Sequence, residues 1–173
     1  MTDVFARGPF AIVYGSRPRA ISATATASEA VAPADDRGVA EQLAAEWQSR
    51  YGGVARVLAD TDVTPELLQT TNLVLVGDPS TNLWLERWRD RLPVAMDSEA
   101  FVVATKGYPL AKYGLAYAAV APESAQRSVV VLAGMQGGRL QLLPNTVFGF
   151  AAAYAIVNPT QGLIETGAAL PPR

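Results

Sequence analysis

The sequence predicts an α/β protein with a three-layer, flavodoxin- or Rossmann-like fold built on a mostly parallel sheet. Short apolar runs alternate with helical patterns in the first half of the chain, an order typical of parallel crossovers. The run Asn72–Gly77 is almost continuously apolar, as expected of a strand buried on both faces. With 173 residues, half of them hydrophobic, we expect one soluble domain over 1–173.

The first strand and the first helix have clear signals. Phe10–Tyr14 is a short apolar run closed by Gly15, which predicts a buried strand. Residues 16–33 are rich in Ala, Ser and Thr, so we expect a flexible loop there. A helix should then begin at Asp35-Asp36 and end at Gly52-Gly53, because its apolar residues recur at four-residue spacing: Val39, Leu43 and Trp47.

The next elements continue the alternation. Val54–Leu58 is a predicted strand, and Thr64 followed by Pro65 predicts the start of a short helix. After the strand at Asn72–Gly77, the apolar spacing of Leu85, Trp88 and Leu92 predicts another helix.

The second half is predicted to contain mainly strands, with an antiparallel hairpin at about 100–121 whose arms are 100–105 and 115–121. The tip of this hairpin would carry two lysines and two tyrosines, which would either bind a partner or be solvated: Lys106, Tyr108, Lys112 and Tyr113. Further strands are predicted at 93–96, 128–133, 155–158 and 163–166, and a helix at 140–154.

Composition restricts the chemistry. The chain contains no His and no Cys, which removes the usual base of serine hydrolases, the commonest zinc ligand and all thiol chemistry. We therefore predict no catalytic residue, no metal ligand and no cofactor. Only carboxylates, lysine, tyrosine or backbone groups could catalyse a reaction.

Charge and hydropathy argue against two classes of partner. The formal net charge is −2 and the arginines are scattered, so a nucleic acid is not expected. The longest apolar stretch, Val147–Val157, is too short to span a bilayer, and Met1–Phe10 lacks an export signal. We expect no membrane segment, and the compartment and oligomeric state stay open.

A ligand site would lie at the carboxyl edge of the sheet, where the loops after three strands should meet. Backbone amides around Ser80, Thr81 and Asn82, together with Gly137 and Gly138, could hold a phosphate or carboxylate. The alternative is that Asp78 orders the turn while one of the polar residues caps the helix. Asp60, Asp62 and Asp78 could bind Mg²⁺ if they met, or could simply be solvated.

Several segments resemble the C-terminal α/β accessory domain of some prolyl-oligopeptidase-like and esterase-like secreted hydrolases. They are Tyr14-Gly15, the helix ending at Trp47 and Tyr51-Gly52, Asn72–Asn82, and Val129–Gly134. The resemblance implies a non-catalytic domain that accompanies a hydrolase catalytic domain, in a secreted or periplasmic protein. The long stretch Ile21–Pro33 departs from it.

Three functions follow in order of preference. The first is a non-catalytic accessory or interaction domain associated with a hydrolase. The second is a domain that binds a small anionic ligand or nucleotide. The third is a hydrolase that depends on carboxylates and Mg²⁺.

Overall fold

The computed structural model describes residues 4–5, 8–18, 35–134, 152–158 and 160–170. The α-helices whose bounds lie within these residues are α1 (Asp36–Tyr51), α2 (Pro65–Thr70) and α3 (Leu83–Trp88), and a 3₁₀ turn covers Asp60–Asp62. The strands are β1 (Phe10–Tyr14), β2 (Arg56–Ala59), β3 (Asn72–Val76), β4 (Ala95–Met96), β5 (Ala100–Val103), β6 (Lys106–Pro109), β7 (Gly114–Ala121), β8 (Ser124–Gly134), β9 (Tyr154–Asn158) and β10 (Gly162–Gly167).

Seven strands form one mixed sheet in the order β10-β9-β7-β8-β3-β1-β2. Strands β2, β1, β3 and β8 are parallel, as the alternating pattern predicted. Beyond β8 the pairing changes, because β7 lies antiparallel to β8, β9 to β7, and β10 to β9. The predicted mostly parallel, flavodoxin- or Rossmann-like fold is therefore wrong, since the structure is strand-rich and half of its large sheet is antiparallel.

The predicted hairpin at 100–121 is also wrong. β5 pairs with β6 instead, through a turn at Ala104-Thr105 in which Ala104 has a φ of 54°. β7 pairs with β8 across the short turn Pro122-Glu123. In each case the nearest strand along the chain is the partner, because a short turn closes a pair at a smaller entropic cost than a longer loop.

β4, β5 and β6 form a separate antiparallel sheet, called the small sheet below. Its buried residues Phe101, Val103 and Tyr108 share one apolar cluster with α2, α3 and one face of the large sheet. α1 packs on the opposite face through Ala40 and Leu43. Alternation of side chains along each strand supplies both faces.

Local signals set the helix ends. Asp35 accepts a hydrogen bond from Gly38 N, and Gly52 ends α1 in the left-handed conformation, both as predicted. Thr64 caps α2 with Pro65 in its first turn. α3 ends at Trp88, earlier than predicted, although Leu92 is still buried in the core.

Some predictions fall beyond the described residues. The loop predicted at 16–33 is described only to residue 18, and most of the helix predicted at 140–154 is not described, while Tyr154 begins β9. The single domain over 1–173 stays a prediction. None of the described helices is both long and apolar enough to cross a membrane.

Candidate functional site

The carboxyl ends of β1 and β3 meet where the strand order reverses, which is the usual ligand position in parallel sheets. Here the loops after the two strands are joined by backbone hydrogen bonds. Gly15 N donates to Val76 O at 3.0 Å, and Arg17 N donates to Thr81 O at 3.1 Å. A Cβ atom on Gly15 would lie 2.7 Å from the Thr81 carbonyl oxygen, so the crevice is filled by the chain itself.

The loop at 77–82 is ordered by Asp78, which is fully buried. Its Oδ1 accepts hydrogen bonds from Ser80 N at 2.7 Å and from Ser80 Oγ at 2.6 Å. Thr81 N and Asn82 N donate to the Asp78 carbonyl at 3.0 and 2.8 Å. These bonds form an Asx-type turn, so Asp78 orders the loop as the alternative in the sequence analysis proposed.

Asn82 connects the loop to both strands and to α3. Its Nδ2 donates to Val13 O at 3.3 Å and to Val76 O at 3.1 Å, and its Oδ1 accepts from Trp84 N at 3.0 Å. The side chain has no exposed surface. Asn82 therefore acts as a helix cap that also bridges two strand ends.

Asp60 accepts a hydrogen bond from the first backbone amide of α3. Its Oδ2 accepts from Leu83 N at 2.7 Å, and its Oδ1 accepts from Ser16 N at 3.3 Å. Leu85 N donates to Asn82 Oδ1 and Glu86 N to Asn82 O. The first four amides of α3 are thus all engaged within the protein, where an anion site would need them to face a ligand.

The structure places the predicted site residues unequally. Ser80, Thr81 and Asn82 lie together at the carboxyl edge; Ser80 is half-buried, and the other two are buried. Gly137 and Gly138 lie outside the described residues, so ligand binding by the set stays a prediction. Gly134, which precedes them, adopts a φ of +88° beside the Tyr113 carbonyl.

The acidic residues do not form a metal centre. Asp60 binds two backbone amides, Asp78 closes its own turn, and Asp62 is exposed. No group of three or more His, Cys, Asp or Glu within the described ranges is arranged to hold a metal ion.

A second polar cluster was not predicted from sequence. Glu165 on β10 accepts hydrogen bonds from Tyr108 Oη at 2.7 Å and from Tyr154 Oη at 2.8 Å. Tyr108 lies on β6 and is buried rather than at a solvated hairpin tip. The three residues, called the phenol–carboxylate cluster below, join the small sheet to the end of the large sheet.

The pKa shifts in the cluster favour neutral phenols and an ionised carboxylate. Burial, followed by the hydrogen bond to Glu165, raises the pKa of Tyr108 to about 12. The bonds from Tyr108 and Tyr154 hold the pKa of Glu165 below its usual value. An acid or base catalyst works best with a pKa near neutrality, and both shifts move away from it.

An open groove of about 330 Å³ lies beside the small sheet. It is lined by Arg89, Asp90, Ala95, Met96, Asp97, Ala100 and Val102. The Asp97 carboxylate is used within its own turn, where Oδ1 accepts from Glu99 N and Ala100 N at 2.7 and 2.8 Å. Arg89 Nε lies 4.0 Å from Asp90 Oδ1, so the charged side chains of this lining pair with each other or are used within a turn.

We predict that Asp60→Asn lowers the free energy of unfolding by about 1–3 kcal/mol, because an amide has one acceptor oxygen for the two backbone amides that Asp60 binds. Urea unfolding measures the change. Asp62→Asn is the matched control, since Asp62 is exposed in the same 3₁₀ turn, and its effect should stay within about 0.5 kcal/mol. Equal effects of the two substitutions would contradict the assigned role of Asp60.

Comparisons with protein-family models, with curated proteins and with solved structures gave no match to this chain.

Proposed function

We propose that this chain is a non-catalytic accessory domain that acts through its surface on a hydrolase catalytic domain. The observation that carries the proposal is the closed crevice between the carboxyl ends of β1 and β3. The polar groups there bond to one another, and the four first-turn amides of α3 have partners within the protein. A sheet whose crevice between two parallel strands is filled by its own loops serves better as a scaffold than as an enzyme.

The association with a hydrolase rests on the resemblance in sequence. The segments that carry it form β1 and the turn after it, the end of α1, β3 with its loop, and the last part of β8. These segments build the core and the closed crevice between β1 and β3. They do not bring together a set of side chains suited to catalysis. Such a pattern fits an accessory domain whose catalytic residues lie in another domain or chain.

The first test is an activity assay of the purified chain. We expect no hydrolysis of p-nitrophenyl esters, peptides or phosphates above the buffer rate, with or without Mg²⁺. Turnover that disappears in Asp78→Ala or in the milder Ser80→Ala, with the circular dichroism spectrum unchanged, would refute the proposal and favour a carboxylate-based hydrolase.

A thermal-shift screen separates the accessory role from small-ligand binding, because a ligand that binds the folded state raises the melting temperature. We expect no shift with nucleotides, sugar phosphates or inorganic phosphate. A reproducible shift that Ser80→Ala abolishes would favour the anionic-ligand function instead.

The partner is tested by cross-linking and mass spectrometry on the native source. Cross-links from this domain should reach an α/β-hydrolase catalytic domain, and an excess of the purified chain should compete with them if the two lie on separate polypeptides. The pair, once purified, should bind with a measurable Kd. Cross-links confined to proteins without a hydrolase domain would contradict the proposal.

A further inference from the structure

The phenol–carboxylate cluster lies between the small sheet and the large sheet. Tyr108 belongs to the small sheet, whereas Tyr154 and Glu165 belong to neighbouring antiparallel strands of the large sheet. Glu165 binds one phenol through each of its carboxylate oxygens. A single side chain therefore holds a strand of each sheet.

The backbone of β10 places Glu165 in this position. The register of β10 against β9 shifts between Leu163 and Glu165, so that Glu165 pairs with Ile156. Ile156 belongs to the apolar cluster that also contains the small sheet. Because paired residues point to the same face of a sheet, the bulge directs Glu165 toward Tyr108.

Gly167 makes room for the second phenol. It pairs with Tyr154, and a Cβ atom at Gly167 would lie 2.3 Å from Tyr154 Cε1. The Tyr154 ring therefore rests against the glycine backbone and extends toward Glu165. A bulge and a glycine on one strand thus position the two partners independently.

The surroundings of Tyr108 fix the other end. Its ring stacks on Phe101 with centroids 5.3 Å apart and an interplanar angle of 12°. Tyr113 meets the ring edge-on at 5.3 Å, and Lys106 Nζ lies 4.8 Å from the ring centroid. Among the described residues, the titratable groups that act on Glu165 are Tyr108 and Tyr154, which donate hydrogen bonds to it, and Lys106 of β6, whose positive charge favours the carboxylate. Tyr113 contacts Tyr108 instead.

We propose that Glu165 and the two tyrosines form an acid-sensitive latch that holds the small sheet on the antiparallel end of the large sheet. Neutralising the carboxylate weakens the acceptor of both phenol bonds at the junction between the sheets. The small sheet then opens locally while the parallel strands stay folded. This inference is independent of the proposed association with a hydrolase.

The direction of the pH effect follows from the hydrogen bonds. They hold the pKa of Glu165 below that of the unfolded chain, so the latch stabilises the fold above the unfolded pKa and is lost as the pH falls through the folded pKa. At the alkaline end, the raised pKa of Tyr108 means that its contribution is complete below about 10 and is lost as the pH rises toward about 12.

Hydrogen exchange measured by mass spectrometry tests the latch at pH 7 in Glu165→Gln, which mimics the neutral carboxyl group. We expect about a tenfold loss of protection in the peptides that cover β6 and β10, and no change in β1 and β3. Glu66→Gln is the control, because Glu66 is exposed and its substitution should leave both regions unchanged. A uniform loss of protection, or no loss at all, would overturn the proposal.

Tyr108→Phe and Tyr154→Phe test the same contact without removing the carboxylate. In the wild-type background, each substitution should cause part of the local loss of hydrogen-exchange protection. In Glu165→Gln, each should cause almost no further loss, because the hydrogen bond to the side chain at 165 is already weakened there. Additive effects of Tyr108→Phe and Glu165→Gln would show that the two side chains act separately and would overturn the latch.

Discussion

Gly134→Ala should destabilise the protein by about 3 kcal/mol, which for a chain of this size corresponds to a fall of roughly 10 °C in Tm. Gly134 has a φ of +88°, in the left-handed region that is unfavourable for residues with a Cβ atom. The added Cβ would also lie 2.1 Å from the Tyr113 carbonyl oxygen, which belongs to the backbone directly before β7 and cannot rotate away. Differential scanning calorimetry measures the loss.

Two other glycines separate the causes. Gly52 also has a positive φ, +69°, but no atom lies within 4 Å of its added Cβ, so Gly52→Ala should cost about 1 kcal/mol. Gly107 has neither a positive φ nor a neighbour within 4 Å, and its substitution should be nearly neutral. A Gly134→Ala protein no less stable than Gly52→Ala would show that the contact with Tyr113 is relieved at little cost.

The elements that were predicted correctly are those specified by neighbouring residues. Asp35, the apolar spacing of α1 and the left-handed Gly52 act within a few residues of one another, as do Thr64 and Pro65 at the start of α2. The apolar run Leu73–Val76 in β3 reflects burial on both faces, which is typical of a central parallel strand.

The antiparallel pairing of the strands from β5 onward was not predicted correctly, because it depends on contacts between strands and not on the residues within each strand. The turn at Ala104-Thr105 contains neither Gly nor Asn, so no typical hairpin turn residues mark the connection between β5 and β6. The pairing changes from parallel to antiparallel beyond β8, because a short turn joins β7 to β8 and makes the two strands antiparallel. Apolar runs alone do not show strand direction.

The phenol–carboxylate cluster was missed for a similar reason. Glu165 and Tyr108 are 57 residues apart and meet through a bulge that no periodicity reveals. The local signal is a carboxylate that directly follows the apolar pair Leu163-Ile164 in β10. At the carboxyl edge the sequence left two roles open for Ser80, Thr81 and Asn82, because residues that commonly bind anions are equally suited to close a turn and cap a helix.

Asn82→Ala should cost about 3 kcal/mol of folding free energy. It removes the cap of α3, worth about 1 kcal/mol, and also the amide that donates to the buried carbonyls of Val13 and Val76. Asn82→Asp keeps the capping oxygen but directs a second oxygen at those two carbonyls, so it should be at least as destabilising. Urea unfolding of the two variants measures both losses.

Thr64→Ala is the matched control, because Thr64 caps α2 through one exposed hydrogen bond and should cost about 1 kcal/mol. The excess cost at Asn82 then measures the bridge between the strand ends. If Asn82 instead served a bound anion, Asn82→Ala would cost no more than Thr64→Ala and would abolish a rise of Tm produced by inorganic phosphate. A bridging role predicts the reverse: a large loss of stability in buffer alone, and a melting temperature that phosphate does not change in either protein.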